Sequence, residues 1–148
     1  MIDIEISATV NPTENCSRIM DGIDNIFPQI EMESKTSAGA YNIIGHGKLN
    51  SLERMHDLLR KEKILDTARK ELEKGQSSDG SCTCILINKQ VATVGYINFP
   101  ATEEPLGSIH LTIKARSRKE LESLFDWLAP HTRDGVPEIE LDISDVKE

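Results

Sequence analysis

Residues 2–10 alternate strictly between apolar and polar side chains. The apolar residues occupy the even positions, namely Ile2, Ile4, Ile6, Ala8 and Val10. A period of two places these side chains on one face of a β-strand and leaves the other face polar. A strand of this kind is typical of an antiparallel sheet that is covered on one side only. Ile109, Leu111 and Ile113 alternate in the same way and predict a second such strand.

Helical periodicity follows the first strand. Asn11 to Glu14 is typical of a helix start, with Asn11 as the cap, Pro12 at the first helical position and Glu14 as the capping-box acid. The apolar face of this helix comprises Cys16, Ile19, Met20, Ile23, Ile26 and Phe27. Pro28 then ends the helix.

The longest helix-patterned segment runs from Ser51 to Gly75, with Asn50 or Ser51 as its cap. One apolar stripe comprises Leu52, Met55 and Leu59. A second stripe, shifted by about one residue, comprises Leu58, Leu65, Ala68 and Leu72. Either one helix twists its apolar face near residues 60–63 or two helices meet there. We favour two helices, with Asp66 or Thr67 capping the second and Gly75 following its end.

Shorter patterns predict the other strands. Residues 29–33 alternate and predict a strand, and the small polar residues 34–39 predict a turn. Residues 41–45 predict a third strand, which ends at the glycines of residues 45–47.

A flexible linker at residues 76–81 precedes a predicted hairpin. Its strands are residues 82–87 and 90–99, its turn is Asn88-Lys89, and Gly95 interrupts the second strand.

The capping box from Ser117 to Glu120 begins the last predicted helix. The apolar stripe of that helix comprises Leu121, Leu124, Phe125 and Leu128. Residues 132–137 predict a loop, and the apolar alternation of Ile139, Leu141 and Ile143 can add a strand to a sheet edge or to a partner.

The predicted order is therefore strand, helix, two strands, one or two helices, three strands and a helix. Helices gathered on one face of a mainly antiparallel sheet give the most economical packing of this order. We predict a two-layer α+β fold with a single domain spanning residues 1–148 and an acidic tail at residues 139–148.

Charge is distributed unevenly along a chain whose net charge is −8. Residues 48–74 hold eight basic and six acidic side chains, whereas residues 1–47 hold two and seven, and residues 75–148 hold seven and twelve. The acidic total opposes non-specific binding to polyanions, but a local basic patch remains possible. The basic segment is therefore either an ordinary solvated helix face with ion pairs or a phosphate-binding patch.

The sequence predicts no metal site and no cofactor. The three cysteines, Cys16, Cys82 and Cys84, have no second closely spaced pair and no HxxxH pattern beside them, so packing of small thiols is expected. Their odd number favours reduced thiols in a cytoplasm. Asp3 and Glu5 stand where a secretory leader would be basic and then apolar, and no apolar run is long enough to span a membrane.

No catalytic motif is present in the sequence. Serine, threonine and aspartate are abundant but never occur in a nucleophile-elbow or phosphate-loop pattern, and Gly45 to Lys48 is too short for such a loop. We therefore predict that the protein is not an enzyme.

Several short motifs stand in a fixed order along the chain. They are PTE at 12–14, LLR at 58–60, ILDTAR at 64–69, INKQ at 87–90 followed by VATVGYINF, PLG at 105–107, DWLAP at 126–130 and T-x-x-G-V-P at 132–137. With the first strand, they resemble the archaeal uncharacterised protein family 0201 over residues 1 to 139. The chain departs from the family pattern at Cys82 and Cys84, where an aliphatic or aromatic strand is usual, and at Ile87, where leucine is usual.

The resemblance implies a fold like that of large-subunit ribosomal protein five, a homodimer and a role in RNA binding. The candidate phosphate contacts are the cations near the shift between the two stripes, a nearby arginine, and two residues at the tip of the predicted hairpin. These candidates are Arg60, Lys61, Lys63, Arg69, Lys89 and Gln90. Arg60 can instead pair with Asp57 or Asp66.

Some members of the family resemble fusions to a nucleotide-kinase-like domain. A second hypothesis is therefore an accessory module that binds such a protein rather than RNA.

Overall fold

A computed structural model describes residues 2–28, 30–37, 40–103 and 105–146. Seven strands and five α-helices are present in this part of the chain. In chain order they are β1 (Asp3–Val10), α1 (Cys16–Ile26), β2 (Glu31–Ser37), β3 (Ala40–Lys48), α2 (Glu53–Lys61), α3 (Leu65–Lys74), β4 (Cys82–Ile87), α4 (Lys89–Ala92), β5 (Ile109–Lys114), α5 (Arg118–Leu128), β6 (Thr132–Arg133) and β7 (Val136–Pro137). Short 3₁₀ turns occupy Leu49–Leu52 and Ile143–Asp145.

Five strands form one sheet in the order β2-β3-β1-β5-β4, and every neighbouring pair is antiparallel. The register places Ile6 of β1 between Gly45 of β3 and Leu111 of β5. The alternating apolar residues of β1 and β5 are buried in one core together with the apolar faces of the helices. The predicted α+β class with an antiparallel sheet is confirmed, and the likeness to ribosomal protein five stays a prediction.

The long helical segment consists of two helices, as the shift between its apolar stripes indicated. The helical path is broken between α2 and α3 at Lys63, whose φ is 57°. The predicted side-chain caps are wrong, because neither helix start has a capping side chain and Asp66 instead accepts a hydrogen bond from Thr132 Oγ1 at 2.6 Å. Gly75 ends α3, and a Cβ there would lie 2.0 Å from the backbone oxygen of Cys84.

The first helix starts later than the sequence predicted. Its cap is Asn15, whose side chain accepts the backbone N–H of Arg18 at 3.3 Å. Asn11 to Glu14 forms a turn instead, in which Glu14 Oε1 accepts both the backbone N–H and the side-chain amide of Asn11. Glu14 is held in this turn because it also binds Lys89, across the fold.

Strands β2 and β3 are longer than predicted. Residues 34–37 were expected in a turn but pair with residues 40–43, while residues 38 and 39 lie outside the described part of the chain. The glycines at 45 and 47 lie within β3 and do not end it. A Cβ at Gly47 would lie 2.3 Å from Ser51 Oγ and 3.1 Å from Ile30, so these glycines leave room for close packing on the sheet.

The predicted hairpin partner at residues 90–99 is wrong. Asn88 Oδ1 accepts the backbone N–H of Val91 at 2.9 Å and thereby starts the short helix α4, which a turn through Gly95 follows. The true partner of β4 is β5. The outer edge of β4 is covered by the residues that were expected to form a flexible linker, with Ser77 N donating to Cys82 O at 2.7 Å.

The segment after α5 is not an edge strand. Residues 132–137 form the small β6–β7 hairpin rather than a loop, with Asp134 and Gly135 at positive φ in its turn. Leu141, Ile143 and Val146 pack against the core, whereas Ile139 is exposed.

Candidate nucleic-acid interface

Lys89 is buried and belongs to the fold rather than to a surface. Its side chain is 1% exposed, and Nζ donates to Thr9 O at 2.6 Å, to Leu106 O at 2.6 Å and to Glu14 Oε1 at 2.8 Å. The sequence placed this residue at a hairpin tip, where it would be free to contact phosphate. Enclosed by one carboxylate and two carbonyl oxygens, the ammonium is already neutralised and fully bonded.

Gln90 is exposed but has a partner in the same cluster. Its Nε2 donates to Glu14 Oε2 at 3.1 Å, so both oxygens of Glu14 are engaged. Burial opposes ionisation of Glu14, but hydrogen bonds from Lys89 and Asn11 outweigh it and hold the pKa of this carboxyl below its ordinary value.

The guanidinium of Arg60 forms hydrogen bonds with the end of α5, with the segment after β7 and with its own helix. Its guanidinium forms a two-point ion pair with Glu140, with Nη2 to Oε1 at 2.5 Å and Nε to Oε2 at 2.8 Å. The same group donates to the backbone oxygens of His56, Trp127 and Leu128 at 2.9, 3.2 and 3.1 Å. Arg60 is therefore not displayed, and its carboxylate partner is Glu140.

Arg69 has a comparable structural role on α3. Its Nη1 lies 2.8 Å from Asp126 Oδ1, and its Nε lies 3.2 Å from Glu73 Oε1. The guanidinium also stands over the Phe125 ring, 5.7 Å from the centroid. The side chain is only 13% exposed, so little of this cation is available to a ligand.

Lys61 and Lys63 are the two predicted cations that remain available. Both are exposed, and neither forms an ion pair or a side-chain hydrogen bond with any residue in the described ranges. Glu62 between them is occupied, because its carboxylate accepts the backbone N–H of Ile97 at 3.1 and 3.3 Å.

The structure displays a further group of cations that the sequence interpretation did not select. We name residues 114–119, which connect β5 to α5, the basic junction. Its four exposed cations are Lys114, Arg116, Arg118 and Lys119, and it contains no acidic residue. Ser117 caps α5 by accepting the backbone N–H of Glu120 at 3.1 Å, so the positive end of the helix dipole lies in the same place.

Neighbouring strands place an ion pair, formed by Asp3 and Lys48, beside the basic junction. Lys114 lies opposite both Asp3 and Cys82 in the sheet register, and Lys48 lies opposite Asp3 on its other side. Hydrogen bonding and charge from Lys48, with a smaller contribution from Lys114, hold the pKa of Asp3 below its ordinary value.

Local contacts fix the arginines of the junction. A Cβ at Gly80 would lie 2.2 Å from Arg118 Nε, so the absence of a side chain at this glycine lets Arg118 lie against it. The carboxylate of Glu120 is buried and accepts the backbone N–H of Arg116 at 2.8 Å, which leaves the guanidinium of Arg116 exposed. Arginine and lysine side chains displayed in this way fit phosphate oxygens, and arginine can bind them at two points.

A run of cations without an intervening acid is the sequence signal that identifies the basic junction. The total charge of residues 75–148 does not reveal this run, because their twelve acidic residues outnumber their seven basic ones.

Other chemistry has little support in the described chain. No group of three or more histidine, cysteine, aspartate or glutamate side chains in the described ranges could hold a metal ion. The three cysteines are free, and burial raises the pKa of the Cys82 thiol above its ordinary value. Within the same ranges, no helix combines the length and apolar character needed to cross a membrane.

The geometry defines the class of protein as an antiparallel α+β fold that displays two sets of cations. One set is Lys61 and Lys63, and the other is the basic junction. Residues 3–115 match a family model described as RNA binding, and this match includes the whole five-stranded sheet.

Relatives from archaea identify the family. A UPF0201 protein of Methanosarcina acetivorans is 40% identical, with 99% of this chain and 96% of that protein covered. One from Pyrococcus horikoshii is 38% identical, with 91% and 94% covered. The crystal structure of the UPF0201 protein from Methanococcus jannaschii superposes with a TM-score of 0.82 at 33% identity and covers 91% of this chain and 98% of that one. The chain belongs to the UPF0201 family, which confirms the resemblance found in its motifs.

One relative is longer. The UPF0200/UPF0201 protein of Archaeoglobus fulgidus is 38% identical over 95% of this chain, which spans only 41% of that protein.

Proposed function

We propose that this protein binds RNA, without catalysing a reaction, as a homodimer in the cytoplasm. The observation that carries the proposal is the match between residues 3–115 and the RNA-binding family model. The displayed cations support it, because binding to a nucleic acid backbone depends mainly on contacts between phosphates and lysine or arginine.

The basic junction is the principal phosphate-binding surface in this proposal. Four exposed cations within six residues, beside the N-terminus of α5, concentrate positive charge on a protein whose net charge is −8. Lys61 and Lys63 form a second, smaller contact. We assign Arg60, Arg69 and Lys89 to the stability of the fold, because carboxylates and backbone oxygens already satisfy them.

A filter-binding assay with an RNA pool between 50 and 200 mM salt tests the proposal. Replacing both Arg116 and Lys119 with glutamate should weaken binding and lower the slope of log affinity against log salt by about 1.4 to 1.8, since each lost phosphate contact removes about 0.7 to 0.9. The matched control reverses Lys70 and Lys74, which are exposed on α3. The control changes the net charge equally, so it should retain most of the slope.

Two outcomes would contradict the proposal. If both double variants lose binding equally, net charge rather than the basic junction governs affinity. If the wild-type protein binds no RNA at low salt, the function itself is wrong.

The homodimer has support from an open sheet edge. Strand β2 pairs only with β3, and no strand in the described chain covers its other side. A symmetric antiparallel pairing of two β2 edges would satisfy those backbone groups. Light scattering at micromolar concentration should give twice the 16.5 kDa chain mass, and a monomer mass would refute the dimer.

The Archaeoglobus fulgidus relative favours a second candidate function, an accessory module for another protein. In that relative, a segment similar to this chain is part of a longer protein named UPF0200/UPF0201. If a purified UPF0200 protein forms a complex with this chain, and RNA does not bind, the second candidate replaces the first.

A further inference from the structure

The turn after α4 displays an aromatic side chain that nothing in the proposed function has used. Tyr96 is 55% exposed, and Val94 before it is also exposed. Gly95, at φ 84°, allows the tight turn in which Gly95 N donates to Ala92 O at 3.0 Å and Tyr96 N donates to Val91 O at 3.3 Å. The turn therefore holds an aromatic ring at the surface instead of packing it in the core.

This turn is joined to the end of α2. The carboxylate of Glu62 accepts the backbone N–H of Ile97, and Ile97 itself is buried. Tyr96 precedes Ile97, while Lys61 and Lys63 flank Glu62, so the hydrogen bond joins the segment that holds the aromatic residue to the segment that holds the two displayed lysines. One carboxylate thus links the backbone next to an exposed ring to the turn that carries two exposed cations.

We name residues 93–97, the turn that carries Tyr96, the platform. Contacts with neighbouring elements hold it in place before any ligand binds. Asn25 Nδ2 donates to Ala92 O at 3.1 Å, and Gly22 of α1 lies so close to Thr93 that a Cβ would be 3.2 Å from its backbone nitrogen. At the other end of the loop, Asn88 N donates to Asn98 O at 2.8 Å. A preorganised surface loses little conformational freedom on binding.

We propose that Tyr96 stacks on an unpaired RNA base while Lys61 and Lys63 contact the adjacent phosphates. The inference rests on the proposed function and names the form of RNA, a single strand. In a duplex the faces of internal bases are already stacked on one another, so no base face is open for the Tyr96 ring to stack on. Stacking on aromatic residues is the usual way in which proteins bind single strands without reading sequence.

The charge at this site is small but suited to a single strand. Lys61 and Lys63 exceed Glu62 by one positive charge, and the oxygens of Glu62 are occupied by the Ile97 amide. Two phosphate contacts give weak salt dependence, so most of the affinity at this site has to come from the ring. A protein surface is the other possible occupant, and the experiment below separates the two.

The test measures fluorescence anisotropy with a labelled single-stranded RNA of about a dozen nucleotides, a length within known single-strand site sizes, and with a blunt RNA duplex. The variants are Tyr96→Ala, Tyr96→Phe and the control Tyr41→Ala, which removes the other exposed tyrosine, 52% exposed. Tyr96→Ala should weaken single-strand binding by about 5- to 150-fold, the range for one stacked base. Tyr96→Phe should retain binding, and duplex binding should not change.

The outcomes separate this inference from the function on which it rests. If the wild-type protein binds RNA with the expected salt dependence and Tyr96→Ala binds as Tyr41→Ala does, the stacking site is wrong and RNA binding stands. If Tyr96→Phe is as weak as Tyr96→Ala, the hydroxyl rather than the ring is responsible, which also overturns the inference. If Tyr96→Ala instead abolishes binding to a UPF0200 protein, with RNA binding unchanged, the platform serves a protein. If the wild-type protein binds neither RNA, the function fails first.

Discussion

Replacing Lys89 with methionine separates a structural lysine from a phosphate-binding one. Methionine keeps most of the unbranched stem but removes the three hydrogen bonds that Nζ donates. The carboxylate of Glu14 then remains largely buried with Asn11 and Gln90 as its partners, and the backbone oxygens of Thr9 and Leu106 lose a donor.

The expected loss is about 4 kcal/mol in the free energy of unfolding. Breaking a buried ion pair by removing one partner costs about 3–5 kcal/mol, because the remaining charge is left uncompensated. The remaining hydrogen bonds from Asn11 to Glu14 keep the loss within that range. For a chain of this size, about 2–4 °C per kcal/mol gives a decrease of roughly 8–16 °C in Tm.

Urea unfolding followed by circular dichroism measures the effect. The control Lys61→Met removes an exposed lysine and should change stability by no more than about 0.5 kcal/mol. Adding Glu14→Gln to Lys89→Met should cost less than the sum of the two single changes, because the charge that methionine leaves unpaired is then absent.

RNA binding by Lys89→Met shows whether Lys89 is a structural residue or a phosphate contact. Well below its Tm, Lys89→Met should bind RNA as the wild-type protein does. A variant that unfolds at the wild-type urea concentration yet loses RNA binding would refute the buried assignment and restore Lys89 as a phosphate contact.

Three further predictions follow from other contacts. The folded-state pKa of Glu14 and that of Glu140 lie below the ordinary value of about 4.3. The stability that these two carboxylates contribute is therefore present above that value and should be lost as the pH falls through the folded-state pKa. Acid unfolding monitored by circular dichroism measures this loss. Gly75→Ala should lower the Tm markedly in a thermal melt, since its Cβ would lie 2.0 Å from Cys84 O. Arg60→Met should release the segment that contains Glu140 to limited proteolysis and cost about 3 kcal/mol of stability in urea unfolding, because it removes three hydrogen bonds from a charged donor to backbone oxygens.

Alternation of apolar residues was sufficient to predict β1 and β5. A strand with one covered face repeats its burial every second residue, so the pattern follows directly from the geometry. The strand predicted at residues 90–99 was wrong, because the apolar residues of this short run fit a helix and a turn as well as a strand. The side chain of Asn88 decided the outcome by capping α4, and a cap depends on one hydrogen bond rather than on a period.

The roles of the individual cations could not be predicted from local sequence. Arg60 pairs with a carboxylate 80 positions away, Arg69 with one 57 positions away, and Lys89 with one 75 positions away. Long side chains in a helix sample many directions, and the packing of the helices and loops decides which distant acid comes within reach. The local carboxylates expected to pair with Arg60, those of Asp57 and Asp66, were wrong for this reason, because Glu140 is its partner.

An acidic chain restricts which of its cations remain available to RNA. With 25 acidic and 17 basic residues, carboxylates exceed the cations they can neutralise. Cations stay exposed where the nearby carboxylate is engaged by a backbone amide: Glu120 accepts the backbone N–H of Arg116 at the basic junction, and Glu62 accepts that of Ile97 between Lys61 and Lys63. The basic junction lies at the N-terminus of α5, and Arg60 of α2 donates to Leu128 O at its C-terminus, so the length of an 11-residue helix, about 16 Å, separates these two points. A single RNA that contacts both the basic junction and the lysines next to Arg60 must therefore extend over several nucleotides. This length favours an extended strand over a compact ligand such as a mononucleotide.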